Sequence, residues 1–178
     1  AMLHHEPVGL AILGGEGAPW SWLPPSGGRA QLARIHSALA ATRPGGRAEL
    51  GVELARIGER VRRRSVVVLI SDLMEEPETW GRALDAYGAR GVDLRVLHIH
   101  DPAEWRFDVS GPARYRSPEG GELLTADHLD VQERIGEVLA EYRAEVASWV
   151  LRARGMLLPA PSDCDIALLL GRLLRARP

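Results

Sequence analysis

The chain has 178 residues, enough for one domain with its own core; 46% are apolar and 26% charged, an ordinary globular balance. A net charge of -2 excludes a global pull toward nucleic acid or an anionic membrane surface, and the single cysteine, Cys164, excludes an internal disulfide framework. No apolar run is long enough to span a bilayer and no signal-like segment opens the chain, so a cytoplasmic protein is expected. All 22 basic residues are arginine, a coding bias rather than a function. Ala1 before Met2 reads as the remnant of a cleaved tag.

Pro7 to Leu13 is short, apolar and closed by Gly14-Gly15, which predicts a strand. Ala18 to Leu23, with Trp20 and Trp22 at period two, predicts an edge strand or hairpin partner stopped by Pro24-Pro25. A helix is expected from Gly28 to Ala41, with Leu32, Ile35 and Leu39 on one stripe and Pro44-Gly45-Gly46 as the breaker. Glu49 to Arg63 places Leu50, Leu54, Ile57 and Val61 on one face of a second helix. The arginines at 60, 62, 63 and 64 complement the dipole at its end and read as a solvated terminus rather than a nucleic-acid patch.

Ser65 to Ile70 is a continuous β-branched run, the pattern of a parallel strand covered on both faces. Pro77 to Ala89 is helical with Trp80, Leu84 and Tyr87 inward, ended by Gly91. Val92 to Ile99 is the next strand. The segment from Gly111 to Gly121 reads as one long loop. Ala126 to Arg154 is a long helix with Leu129, Ile135, Leu139, Tyr142, Val146 and Trp149 along its core stripe. Met156 to Ala160 is a last short strand and Asp165 to Arg175 a closing helix. Strands alternating with helices imply an α/β fold with a parallel, doubly wound, Rossmann-like sheet.

No nucleophile elbow, phosphate loop or CxxC pair is present, so no complete catalytic constellation and no cofactor are expected. Gly14-Gly15-Glu16-Gly17 lacks the third glycine of a dinucleotide loop, and Pro19-Trp20 follows where a helix would start. Ser71-Asp72 lies where a parallel strand ends, which is where open α/β sheets gather ligands. A plain turn-capping role for Asp72 competes with that reading, with Glu75 and Glu76 starting the next helix. His98 and His100 project to one strand face and, with Asp101 and Glu104, can be read as a transition-metal site. An HxH pair without a third certain ligand is more often structural, and Asp101-Pro102 is also a strand-ending turn. Cys164 has no histidine partner and reads as a half-buried thiol; Trp105 and Phe107 read as loop anchors.

The ordered set PVGLAIL, LPPSGGRAQL, RRRSVVVLISDL and ARGVDLRVLHIHDPAEW resembles the C-terminal part of bacterial proteins in domain-of-unknown-function family fifty-eight, which are similar to von Willebrand factor type A domains. The resemblance implies a sheet without known enzymatic activity, in proteins that accompany MoxR-type AAA+ ATPases and act in assembly or maturation of other proteins. Type A domains bind partners through a metal-ion-dependent adhesion site built from a DxSxS motif, a threonine and an aspartate. Here the threonine position falls at Arg47 or Ala48, and only Asp72 fits. A complete site, and hence a bound cation, is not expected. The strand carrying DxSxS, central in that fold, would precede Pro7. Its absence would leave apolar strands unpaired, with a longer gene product or a homodimer through the open edge as remedies.

The expected function is therefore a non-enzymatic protein-interaction domain presenting Ser71, Asp72, Asp101 and Glu104 to a protein partner such as a MoxR-type ATPase. The alternatives are a metal-dependent hydrolase using His98, His100, Asp101 and Glu104, and an inactive, truncated pseudo-domain.

Overall fold

In a computed structural model of the chain, residues 6–14, 20–43, 45, 48–106, 113–115, 124–126 and 128–175 are described; for Glu104, Arg106, 113–115, 124–126 and 128–133 the description covers the backbone only. The chain divides into two compact units, Ala1–Val61 and Arg62–Pro178.

The first unit is built on an antiparallel pair, β1 (Val8–Leu13) and β2 (Trp20–Ser26), in register Leu10↔Leu23 and Ile12↔Ser21. β2 does not stop at Pro24 as its sequence suggests but runs through both prolines to Ser26. Proline is tolerated there because the strand lies at an edge and the register shifts between Val8 and Leu10. A side chain at Gly9 would put a Cβ 3.0 Å from both the Leu23 carbonyl and Pro25 Cγ, so only glycine lets the proline strand pass. The irregularity leaves carbonyls to satisfy. Gln31, on helix α1 (Arg29–Ala41) and only 1% exposed, donates from Nε2 to Val8 O at 2.7 Å and Pro24 O at 3.0 Å. Gln31 is thus the buried contact of α1, while Leu32 and Leu39 of the expected apolar stripe face outward.

Helix α2 (Leu50–Arg60) buries Leu50, Leu54 and Ile57, as their spacing requires. Glu53 is buried beside them and is held by Arg56 at 3.2 Å. Arg56 and Arg60 lie over the Trp20 ring at 5.3 and 5.1 Å. The helix ends at Val61 rather than Arg63, and in the second unit Arg64 takes a left-handed φ of 60° as Ser65 N donates to Arg62 O.

The second unit carries a three-stranded parallel sheet in the order β3 (Val66–Ser71), β4 (Asp93–His100), β7 (Met156–Pro161). Its registers include Leu69↔Val96, Ser71↔His98 and Leu97↔Leu158. Helix α3 (Pro77–Ala89) links β3 to β4, and helix α5 (His128–Arg152) precedes β7, the βαβ logic of a Rossmann-like sheet. Trp80, Leu84 and Tyr87 of α3 are fully buried, as are Val146 and Val150 of α5. The two helices pack tightly through small residues: an added Cβ at Gly81 would meet the Trp149 ring at 2.3 Å, and one at Gly88 the Ala153 carbonyl oxygen at 2.4 Å.

Leu97 and Ala160, on the other sheet face, pack with Leu173 of helix α6 (Ile166–Arg175), joined by Ile99, Leu158 and Leu169. Asp165 caps α6, its Oδ1 accepting from Ala167 N at 2.7 Å. Arg95 grips Asp93 through two hydrogen bonds at 2.5 and 3.0 Å and donates to the Leu173 carbonyl in the last turn of α6. That carboxylate holds the Arg95 guanidinium pKa above its ordinary value against the cost of burial.

β3 departs from expectation. Only Leu69 is buried, while Val66, Val68 and Ile70 are exposed, so the run is not covered on both faces. Among the described residues β3 pairs only with β4, and α6 packs over the β4 and β7 residues of that face. The long loop departs as well: Ala113–Tyr115 (β5) pairs antiparallel with Leu124–Ala126 (β6), so Ala126 closes a hairpin and the long helix starts at His128.

Candidate functional site

The carboxyl ends of β3 and β4 lie side by side, because Ser71 registers with His98. At the end of β3 the chain turns through Leu73, which has φ 55° and is completely buried. A left-handed conformation strains any residue with a Cβ and persists only where the surroundings hold it. Three contacts do so here. Leu73 N donates to Ser71 Oγ at 3.0 Å. The Leu73 carbonyl accepts a hydrogen bond from Tyr142 OH on α5. The Asp72 carbonyl is met by His98 Nε2 at 3.1 Å; since a carbonyl can only accept, that nitrogen carries the proton. The backbone of Asp72 is clamped while its side chain stays exposed, in Oδ1 contact with Met74 N at 3.4 Å.

The clamp is part of a ring cluster. His100 stacks on Trp105 of the short helix α4 (Pro102–Arg106), with centroids 3.3 Å apart and planes 6° from parallel. His98 meets the same indole edge-on at 5.4 Å, and the Arg143 guanidinium lies 4.7 Å from the centroid of the Trp105 ring as a cation–π partner. His100 Nδ1 faces the His98 carbonyl at 3.2 Å and so donates to it. Burial pushes the His98 pKa down. The Asp72 carbonyl and carboxylate oppose this, while His100 and Arg143 reinforce it. Burial, helped by Asp72 and Glu145, pushes the Tyr142 hydroxyl up to about 12, so it remains a donor at every ordinary pH.

Asp101 is exposed and caps α4, its Oδ1 accepting from Ala103 N at 2.7 Å. Glu104 is carried on α4, its side chain outside the described residues, as are Arg47, Phe107 and the glycines at 15 and 17. Ser71, Asp72, Asp101 and Glu104 are therefore brought to one sheet edge. His98 and His100 share a face as their spacing requires, but both are buried, with the ring nitrogens Nε2 of His98 and Nδ1 of His100 on backbone carbonyls. Among the described residues no three His, Cys, Asp or Glu side chains converge on one point. Cys164 is half-buried beside the α6 cap.

Tyr142 and Leu73 escape a reading of the sequence. Tyr142 sits on the predicted core stripe, and a buried phenol that must find a hydrogen-bond partner was the available signal. Nothing in the sequence marks Leu73 as left-handed.

The chain matches the family described as "Protein of unknown function DUF58" over residues 3–146. It belongs to the DUF58 family. No curated protein matches it. Among solved structures, the DUF58 chain is similar to one described as the conserved hypothetical protein BatB from Bacteroides thetaiotaomicron, at 13% identity and a TM-score of 0.53. That likeness covers 96% of the DUF58 chain and 80% of the other, and shows a shared α/β fold with a parallel sheet flanked by helices. No helix among the described residues of this DUF58 chain is long and apolar enough to cross a membrane.

Proposed function

We propose that this DUF58 chain is a cytoplasmic, non-enzymatic protein-interaction domain whose strand-end face (Ser71, Asp72, Asp101 and Glu104) binds a protein partner, a MoxR-type AAA+ ATPase engaged in assembly or maturation of other proteins. One observation carries the reading: Asp72 is exposed on a backbone that His98 and Tyr142 clamp around a strained Leu73. Strain of this kind clusters at functional positions, and a pre-ordered backbone beneath an acidic side chain reduces the entropy lost on binding. The second acid, Asp101, is fixed by its capping role on the neighbouring strand end. The choice of partner rests on the family resemblance. The His98 and His100 contacts give no support to a hydrolase at the same place.

Co-purification with the MoxR-type ATPase of the same organism tests the proposal. Asp72→Ala and Glu104→Ala should each reduce retention, and the pair should abolish it. Retention unchanged in the double variant would show that this face is the wrong one.

A further inference from the structure

Helix α4 is too short to hold itself. Its five residues form little more than one turn, and helices below about 12 residues are marginal in water. Two attachments keep it in place. Asp101 closes the first turn, its Oδ1 accepting from Ala103 N at 2.7 Å and its carbonyl from Trp105 N at 3.2 Å. At the other end the Trp105 ring lies flat against His100, with the Arg143 guanidinium of α5 4.7 Å from its centroid. Order in α4 and the position of the indole are therefore one event.

The same indole backs both arms of the clamp on the β3 turn. One arm is His98, which meets Trp105 edge-on and donates to the Asp72 carbonyl. His100, against the flat of the indole, donates to the His98 carbonyl and ties the two histidines together. The other arm is Tyr142, next along α5 to Arg143, whose hydroxyl donates to the Leu73 carbonyl. What the arms hold is a left-handed Leu73 with no exposed surface. That conformation relaxes to negative φ once its partners are lost. A strained residue held by its contacts has two discrete states, the kind of element through which two places on a chain are coupled.

We propose that Trp105 is a positioning residue that couples the two strand ends. With α4 ordered, the indole holds His98 in place and Leu73 stays left-handed. With α4 frayed, the indole withdraws, Leu73 relaxes and the Asp72 backbone leaves its clamp. The consequence for binding rests on the reading of this face as a protein-binding one. A partner that engages Asp101 and steadies α4 thereby sets Asp72 for itself, so the two acids act cooperatively rather than as independent contacts.

Amide exchange in the free 178-residue chain tests this, reading Leu73 against Val96, which is fully buried in the middle of β4 and reports opening of the sheet. Asp101→Ala removes the cap and should quicken exchange at Leu73 about fivefold, with Val96 as in the wild type. Asp101→Asn keeps a capping oxygen without the charge and should leave both amides unchanged. Trp105→Leu should quicken Leu73 at least as much, and adding Asp101→Ala to it should bring no further increase, because the link is already cut. Wild-type protection of Leu73 in Asp101→Ala overturns the proposal, as do effects that multiply in the double variant. If Trp105→Leu does not fold, the two Asp101 variants decide alone. No ATPase is present in the measurement, so a failure here leaves the binding reading standing, and a failure of binding leaves this result standing.

Discussion

Protonating His98 would place a charge where the chain has arranged for none. The ring is only 4% exposed, and it faces Asp72 across a hydrogen bond, His100 on its own strand, Trp105 on α4, and Tyr142 and Arg143 on α5. Desolvation lowers its pKa in the fold from the ordinary 6.5, so between the lowered value and 6.5 the unfolded chain binds more protons than the folded one. The stability that a neutral His98 contributes is therefore complete above 6.5 and is lost as pH falls through that window toward the folded value. Thermal denaturation followed from about pH 7 to about pH 5 should show a falling midpoint. His98→Gln should melt lower at neutral pH, for loss of ring packing, yet show a flatter acid limb. Parallel acid limbs in the two proteins would mean that another group titrates. Tyr142→Phe tests the other half of the clamp. It removes only the hydroxyl and leaves the buried Leu73 carbonyl without that donor, a loss of about 1–3 kcal/mol. Amide exchange at Leu73 and Met74 should quicken in that variant; unchanged protection would show that the turn holds itself.

At the scale of elements, the packing of α3 against α5 makes a sharper demand than hydrophobic pattern alone. A methyl at Gly88 would meet a backbone carbonyl at 2.4 Å, and backbone cannot rotate away as a side-chain end can. Gly88→Ala should force the helices apart at a loss of about 1–3 kcal/mol. Gly136, on α5, has nothing within 4 Å of its added Cβ, so Gly136→Ala should be neutral or stabilise by about 0.5–1 kcal/mol through helix propensity. Chemical denaturation of both variants separates the two effects; equal losses would place the origin in the chain rather than in the packing. The elements most readable in the sequence are those governed by a single local rule. α2 and α3 follow from apolar spacing, and β4 and β7 from β-branched and apolar runs. The misread ones depended on a neighbour. β2 continues through two prolines because a bulge and Gly9 accommodate them. α1 turns Gln31 inward because two strand carbonyls need a donor. β3 runs apolar from Val66 to Ile70, and no local rule tells a strand covered on both faces from one that exposes Val66, Val68 and Ile70 on one of them.

At the scale of the molecule, the candidate site was half readable for the same reason. Position at a strand end follows from chain order, so Asp72 and Asp101 are where the alternation of strands and helices puts them. The grip on Asp72 comes from residues 26 and about 70 positions away, at His98 and Tyr142, and such contacts leave no local trace. All of these residues fall within Arg62–Pro178, which also holds the parallel sheet, the α3–α5 packing and the α6 anchor at Arg95. A unit that owns its sheet, its helices and its buried cluster meets the description of a domain able to fold alone. Residues 62–178 produced by themselves should therefore unfold in one cooperative transition, with the near-UV signal of buried Trp80 intact before it and the acid-limb behaviour of His98 retained. A broad transition without near-UV signal would show that Ala1–Val61 supplies part of what holds the sheet together, and would move the boundary of the folding unit to include β1 and β2.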